Sequence, residues 1–374
     1  MARVEAAGGA QAGLPSLHLV GNGRPPCAVG DFSAGLHASL HGYVPTPPAI
    51  LILEPGRLAL PVQWRAVGSA SAVVANLPVV AWKRALLGPV AAYGIALLRG
   101  RPRITVLHEW AGLHALRRLV LRPLILLSSR VVLLSPQIRD ELAADRLVGF
   151  RARSSALMPL PPTLARPTAS VDSALRRRLV AARGEGRLVL GHFGSIYPGK
   201  QPEGILEVAA ALKRRGERPL TVFLGSFVKA FDGVEAAFRE RVAALDLSDD
   251  VIVSGYVATT PELFGLFEAV DAFLYRLPEG LTARRTSVLA CLQSGRPVVV
   301  SAPARLTEFD HHPRFRALLD GAGLALVPRG ADAEACATRI LQVRDRPSML
   351  SEIDAAQWFG DTAEALRALL PGRC

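Results

Sequence analysis

The side chains best suited to hold an anion fall in two stretches of the second half of this 374-residue chain. Lys200 closes a loop over 194–199 and directly precedes a helix-like segment over 203–214, which sets a point charge at the positive end of that helix. Only four of the 44 cationic residues are lysine (Lys83, Lys200, Lys213 and Lys229), so a lysine at this spot stands out from an arginine-rich background. Arg284 and Arg285 precede Thr286 and Ser287, which read as N-cap residues of a helix over about 286–294. Backbone N–H groups after 285 would then face an anion that a guanidinium clamps with two parallel hydrogen bonds. In the first half, His108 and Glu109 follow a strand-like run over 104–107, where a carboxylate can orient a hydroxyl or take its proton. Gly30 ends a Gly-rich loop over 21–30, and the absence of a Cβ lets backbone approach a phosphate or sugar. Asp31 reads as a helix cap or first-turn acid before it reads as a catalytic acid. Each group has a plainer alternative: a solvated loop lysine, surface arginines, a flexible turn, a histidine bonded to backbone.

Such groups need strand ends to hold them, and the chain supplies these in a regular rhythm. Apolar runs over 17–20, 49–53, 104–107 and 131–134 alternate with helix-like segments over about 31–41, 81–98, 112–127 and 136–146. After a proline-dense stretch over 158–169, read as the interdomain linker, the pattern repeats. Strands over 188–193, 220–224, 251–254, 272–275 and 298–301 alternate with helices over 203–214, 234–245, 261–269 and 286–294. Alternating strands and helices predict parallel, doubly wound sheets, in which ligands sit at the carboxyl ends of strands.

Composition narrows the class. The mass of 39.8 kDa suits two domains. Apolar residues make up 50% and charged residues 20%, which excludes a mostly disordered chain. The four cysteines (Cys27, Cys291, Cys336 and Cys374) are far apart, against both a disulfide scaffold and a zinc module. A metal on Asp310, His311 and His312 is a weak prospect, since two adjacent histidines and one acid lack ligand spacing. The net charge of +12 calls for an anionic partner or a solvated arginine-rich surface; with 6% aromatics and no basic-aromatic stripe, nucleic acid is not expected. Residues 1–15 lack a signal-peptide core, and the uncharged runs over 66–82 and 85–98 are too short or too polar to span a bilayer. Walker, GxSxG and GxGxxG signatures are absent.

Three stretches carry a family resemblance. They are His192-Phe193-Gly194-Ser195-Ile196-Tyr197-Pro198-Gly199-Lys200, then Val253-Ser254-Gly255-Tyr256-Val257 with the segments 261–264 and 269–274 after it, then 278–287 leading to Ser294-Gly295-Arg296-Pro297. In this order and spacing the second half resembles nucleotide-sugar-dependent glycosyltransferases of the GT-B fold, close to family 4. The first half matches more loosely, through Gly30-Asp31 and His108-Glu109. The resemblance implies an α/β fold of two Rossmann-like, doubly wound parallel-sheet domains facing a central cleft. It implies an acceptor-binding domain over 1–165 and a donor-binding domain over 166–374. The activity implied is hexosyl transfer from a UDP-, GDP- or ADP-linked sugar to a hydroxyl acceptor, with retention and without a metal or other cofactor, in bacterial polysaccharide or glycoconjugate synthesis.

In that scheme Gly30, Gly194, Ser195, Lys200, Glu279, Gly280, Arg284, Arg285, Thr286 and Ser287 bind the donor, with Glu279 on the sugar hydroxyls. His108 approaches the transferred sugar and Glu109 serves the acceptor. The chain departs from the family at Ser195, where relatives have Arg, and at Thr282 and Ala290, where many have glutamate. Those departures motivate an alternative, a catalytically inactive GT-B partner of another transferase; a nucleotide-sugar epimerase of related fold is a more distant one. The acceptor is a glycan, a lipid-linked molecule or a protein. The segment 112–127 sets Arg117, Arg118 and Arg122 beside Leu113, Leu116, Leu119, Val120, Leu121 and Leu124, which suits peripheral docking of a cytoplasmic protein on an anionic membrane surface, or else the core face of a Rossmann helix.

Overall fold

The computed structural model describes residues 3–5 (backbone only), 14–23, 27–54, 58–82, 86–228, 233–319, 324–345 and 353–370. Arg24, Pro25 and Pro26 of the Gly-rich loop, Lys83, Lys229 and Cys374 lie outside the described residues. The chain forms two compact units, Met1–Thr163 with Ala356–Cys374, and Leu164–Ala355.

Unit 1 runs β1 (Arg3–Glu5), β2 (Ser16–Gly21), α1 (Ala28–Leu40), β3 (Ala49–Leu53), α2 (Leu60–Gly68), β4 (Ala72–Leu77), α3 (Leu87–Leu98), β5 (Arg103–Leu107), α4 (Ala115–Leu127), β6 (Arg130–Leu133), α5 (Pro136–Ala143), α6 (Phe150–Arg153) and β7 (Ala156–Leu157). The strand order is β1-β3-β2-β4-β5-β6-β7, parallel throughout except for β1, which pairs antiparallel with β3. Every residue of β4 is buried, as expected of a central parallel strand covered on both faces. The uncharged run over 66–82 is therefore mostly this strand and its flanks.

Two local expectations change. First, α1 begins before Asp31: the amides of Gly30 and Asp31 both donate to the Cys27 carbonyl, at 2.8 and 3.1 Å, so Gly30 lies inside the first turn and Asp31 is a first-turn acid. Second, the leucines of the α4 segment do not share one face. Leu113, Leu121 and Leu124 are core, whereas Leu116, Leu119 and Val120 face outward. Arg122 pairs with Asp145 at 2.9 Å and Arg117 donates to the Val79 carbonyl at 3.3 Å, so two of the three arginines are engaged within the protein.

Unit 2 runs α7 (Ala174–Gly184), β8 (Leu188–Phe193), α8 (Pro202–Arg214), β9 (Pro219–Leu224), α9 (Val234–Ala244), β10 (Val251–Val253), α10 (Thr260–Glu268), β11 (Ala272–Tyr275), α11 (Thr286–Leu292), β12 (Val298–Ser301), α12 (Pro313–Leu319), β13 (Leu324–Val327) and α13 (Ala333–Val343). Its six strands are all parallel in the order β10-β9-β8-β11-β12-β13. The chain then enters α14 (Ala355–Arg367), whose Ala363 and Leu366 are fully buried in the unit 1 core. Sequence reading carried the second domain through residue 374, whereas this last helix belongs with unit 1. Its apolar side chains pack on α1: the Phe359 and Phe32 rings lie 6.2 Å apart, and Thr362 Oγ1 donates to the Pro159 carbonyl at 3.0 Å. Gly35 on α1 permits the approach, since a Cβ there would come within 2.5 Å of the Phe359 ring.

In each sheet the winding direction reverses once, between β8 and β11 in unit 2 and between β2 and β4 in unit 1. Ligands of doubly wound sheets bind outside the carboxyl ends of the strands at such reversals.

Candidate functional site

In unit 2 the reversal is bordered by the loop after β8 and the loop after β11. Gly194 follows β8 with φ +127°, a conformation that side-chain-bearing residues avoid. The chain then leaves the sheet alongside the loop after β9: Gly194 N donates to the Leu224 carbonyl at 3.1 Å and Ile196 N to the Ser226 carbonyl at 2.9 Å. Ser195 is exposed between them. A tight turn over Pro198–Lys200 leads into α8, and the Lys200 side chain folds back over Gly194 so closely that a Cβ on the glycine would collide with Nζ. The ammonium is thereby fixed at the end of β8 and beside the first turn of a 13-residue helix.

The loop 276–285 forms the other border. Arg276 anchors its start, donating to the carbonyls of Gly204 at 3.2 Å and Ala331 at 2.8 Å. The Leu277 amide donates to Ser301 Oγ at 3.0 Å and the Leu281 amide to the Ser301 carbonyl at 3.0 Å, stitching the loop to the end of β12. Gly280 has φ +83°, and a Cβ there would collide with the Ala302 carbonyl. Glu279 and Arg285 form an ion pair across the loop, both only partly exposed, with Arg284 beside them. Contrary to expectation, Thr286 and Ser287 are not caps: Arg285 holds the cap position of α11, no side chain caps it, and both residues lie in its first turn. Tyr275 ties the two borders together, its hydroxyl within 2.9 Å of the Phe193 carbonyl and 3.3 Å of the Ser287 carbonyl.

The electrostatics favour an anion. Burial, and next the positive charge of Arg285, lower the Lys200 pKa to about 8. Among the described residues no carboxylate pairs with Lys200, whereas Glu279 answers Arg285. Beneath them His192, with Nδ1 at 3.0 Å from the Leu274 carbonyl, is held neutral, its pKa lowered to about 3 by burial and then by the Lys200 charge. A bound phosphate would relieve the repulsion between the two cations, and preorganised cations of this kind stabilise a departing phosphate.

Gly194, Lys200, Glu279, Gly280 and Arg285 are thus brought together. The structure adds Gly225, Ser254, Tyr275, Arg276 and Ser301, which the sequence did not single out as site residues. A Cβ on Gly225 would collide with the Gly194 carbonyl, and its amide donates to Ser254 Oγ at 3.1 Å. All five stand at or just past the carboxyl end of a strand, which was their available signal.

In unit 1, His108 follows β5, one strand beyond the reversal. Its amide donates to the Leu77 carbonyl at 2.8 Å, its Nε2 lies 3.5 Å from Asn76 Oδ1, and its ring meets the edge of Phe32 with centroids 4.8 Å apart. Burial lowers its pKa to about 3, so it serves as a neutral hydrogen-bonding group. Glu109 and Cys27 both act electrostatically on Arg117, partly offsetting the burial that lowers the guanidinium's pKa. Glu109, Arg117 and the amino end of α1 therefore lie near one another. Gly30 is not forced by the fold: a Cβ there would meet only Cys27 Sγ, at 3.5 Å. Asn76 and Arg117 were not singled out as site residues by the sequence. Asn76 is legible only once β4 is recognised. Among the described residues no group of three or more His, Cys, Asp and Glu side chains could hold a metal ion.

No family model matches the chain, and no curated protein matches it by sequence. Solved structures do match its fold. HepE of Anabaena is similar with a TM-score of 0.59 at 16% identity, covering 95% of each chain. A glycosyltransferase from Rickettsia africae aligns with a TM-score of 0.58 at 12% identity, over 96% of this chain and 97% of its own. The sucrose-phosphate synthase of Thermosynechococcus elongatus aligns with a TM-score of 0.54 at 16% identity, over 96% and 95%. HepE was crystallised with UDP, with UDP and glucose, and with UDP-glucose. These structures are GT-B glycosyltransferases, and the likeness establishes the fold of this chain as α/β of the GT-B type, built from two Rossmann-like units.

Proposed function

We propose that this chain is a glycosyltransferase that moves a hexosyl group from a nucleotide sugar to a hydroxyl acceptor, with retention and without a metal ion. Lys200 is the observation that carries this: a partly buried ammonium without a carboxylate partner, folded over Gly194 at the reversal of a doubly wound sheet, with Arg285 close enough to depress its pKa. Unit 2 binds the donor. Lys200 and Arg285 hold its pyrophosphate and neutralise the charge that develops as the glycosidic bond breaks. Arg284, Ser195, Thr286 and Ser287 border that site, and Glu279 and Gly280 serve the sugar hydroxyls. Unit 1 binds the acceptor, with Glu109 serving the acceptor hydroxyl, neutral His108 offering a hydrogen bond to a sugar hydroxyl, and Gly30 leaving room for a phosphate or sugar. HepE's complexes with UDP and UDP-glucose support starting with uridine donors. Family 4 membership and a role in polysaccharide or glycoconjugate synthesis complete the proposal.

The experiment is transfer and donor hydrolysis with a panel of UDP-, GDP- and ADP-sugars, run with and without EDTA. One donor class should turn over, with equal rates in EDTA. Chelation that abolishes turnover, restored by Mg²⁺ or Mn²⁺, would contradict the metal-free reaction. The alternative of an inactive partner protein rests on Thr282 and Ala290, which stand where the resembling family often has glutamate. Nucleotide binding without turnover of any donor would decide for it.

A further inference from the structure

The charge of this protein is unevenly distributed. Residues 55–139 contain twelve lysines and arginines and one acid, Glu109, while the rest of the chain contains 32 cations and 31 acids. This stretch holds α2, α3 and α4. The crossovers from β3 to β4, β4 to β5 and β5 to β6 all advance the same way across the sheet, so right-handed connection places the three helices on one face. The helix α1 runs the other way and is covered by α14. The layer packs side by side, α2 on α3 and α3 on α4.

The outer side of this layer is apolar. α3 contains no charged residue, and its outward positions include Leu87, 56% exposed, and Leu98, 78% exposed. A helix that is apolar all round is ordinarily covered on every side. On α4 the outward positions are Leu116, Leu119 and Leu126, and on α2 Trp64, all exposed. Cations border the apolar positions: Arg65 and Arg99 are exposed, the Arg99 guanidinium standing 4.1 Å over the Trp64 ring, and Arg118 is partly exposed on α4. No acid occurs in α2, α3 or α4.

We propose that the outer face of α2, α3 and α4 docks on an anionic lipid bilayer surface, with its leucines and Trp64 in the interfacial region and Arg65, Arg99 and Arg118 on the headgroups. Charge complementarity selects this occupant. Two copies joined symmetrically through this face would set arginines against arginines without an acid to answer them. A bilayer with anionic headgroups meets both the apolar and the basic requirement, and none of the three helices needs to span it. This docking needs no assumption about the reaction catalysed.

Trp64 supplies a native probe, because the other three tryptophans, Trp82, Trp110 and Trp358, are buried. The full chain would be mixed with vesicles of phosphatidylglycerol and phosphatidylcholine, or of phosphatidylcholine alone, at low and high salt. Flotation and tryptophan emission would be read together. The expected result is flotation with the anionic vesicles only, weakened by salt, with a blue shift of emission that Trp64→Phe abolishes. Arg65→Gln with Arg118→Gln should weaken binding about tenfold or more. Leu98→Glu with Leu119→Glu should abolish it at unchanged melting temperature, since both leucines are exposed. Absence of flotation at low salt, or flotation without the Trp64 shift, would overturn the proposal. So would a dimer in solution that the leucine substitutions dissolve. The first two readouts use an unaltered face and stand even if a substituted chain folds poorly.

Discussion

Burial and the neighbouring Arg285 guanidinium hold the Lys200 pKa at about 8, so its positive charge is costly until an anion arrives. An anion that pairs with Lys200 raises its pKa, so binding is linked to proton uptake once the free lysine begins to deprotonate. Affinity for a nucleoside diphosphate should therefore fall as pH rises through 8, and the fall should vanish in Lys200→Arg, whose side chain stays charged. Calorimetric titrations across that range check this; a flat profile in the wild type would count against Lys200 as an anion ligand. Lys200→Ala and Arg285→Ala should each lower transfer about 10²-fold, since each removes charge stabilisation from the departing phosphate. Gly194→Ala should approach the same loss, because its methyl group would occupy the place of Nζ. Near-normal turnover in all three variants would refute the assignment. Gly30→Ala should fold normally, since its Cβ would make only an ordinary van der Waals contact with Cys27 Sγ at 3.5 Å, and any loss of turnover then reports a ligand at that position. Lys200, Gly194, Gly280 and Arg285 were legible because a rare lysine, glycines at strand ends and paired arginines are visible in a string of letters. Tyr275 and Ser301 were not, because their roles are hydrogen bonds between segments that only the folded sheet brings together.

At the scale of elements, the parallel strands of unit 2 from β8 to β12 were readable as short apolar runs, three of them followed by glycine, and their ends fell within a residue of the expected positions. β4 was missed because a strand buried on both faces shows no alternation, and its alanine, valine and leucine residues invite comparison with a membrane segment instead. α14 was missed for another reason. Its partner is α1, more than 300 residues earlier, and no local signal announces so distant a contact. Trp358 is buried in this helix, so Trp358→Ala should destabilise unit 1 by about 3–5 kcal/mol. Chemical denaturation monitored by circular dichroism measures it. A change below about 0.5 kcal/mol, the range of ordinary surface substitutions, would mean that α14 contributes little to that unit.

For the molecule as a whole, fold and charge answer different questions. Both sheets carry a single reversal of winding, which specifies where a ligand sits but leaves the chemistry to the side chains there. The sequence indicated two Rossmann-like halves and the strand-end loops that matter. The excess of positive charge on residues 55–139 can be counted in the sequence, but that α2, α3 and α4 of this stretch form one layer emerges only from the folded sheet. The central claim is that Lys200 is a phosphate ligand, and it is tested most directly by titrating UDP, GDP and ADP into the wild type, Lys200→Ala and Lys213→Ala. Lys213 is the control, an exposed lysine already paired with Asp246 and Asp250 at 3.0 and 3.2 Å. At least one diphosphate should bind at one site per chain, with affinity about 10²-fold weaker in Lys200→Ala and unchanged in Lys213→Ala. Equal affinity in all three proteins, or no binding of any diphosphate to the wild type, would contradict it.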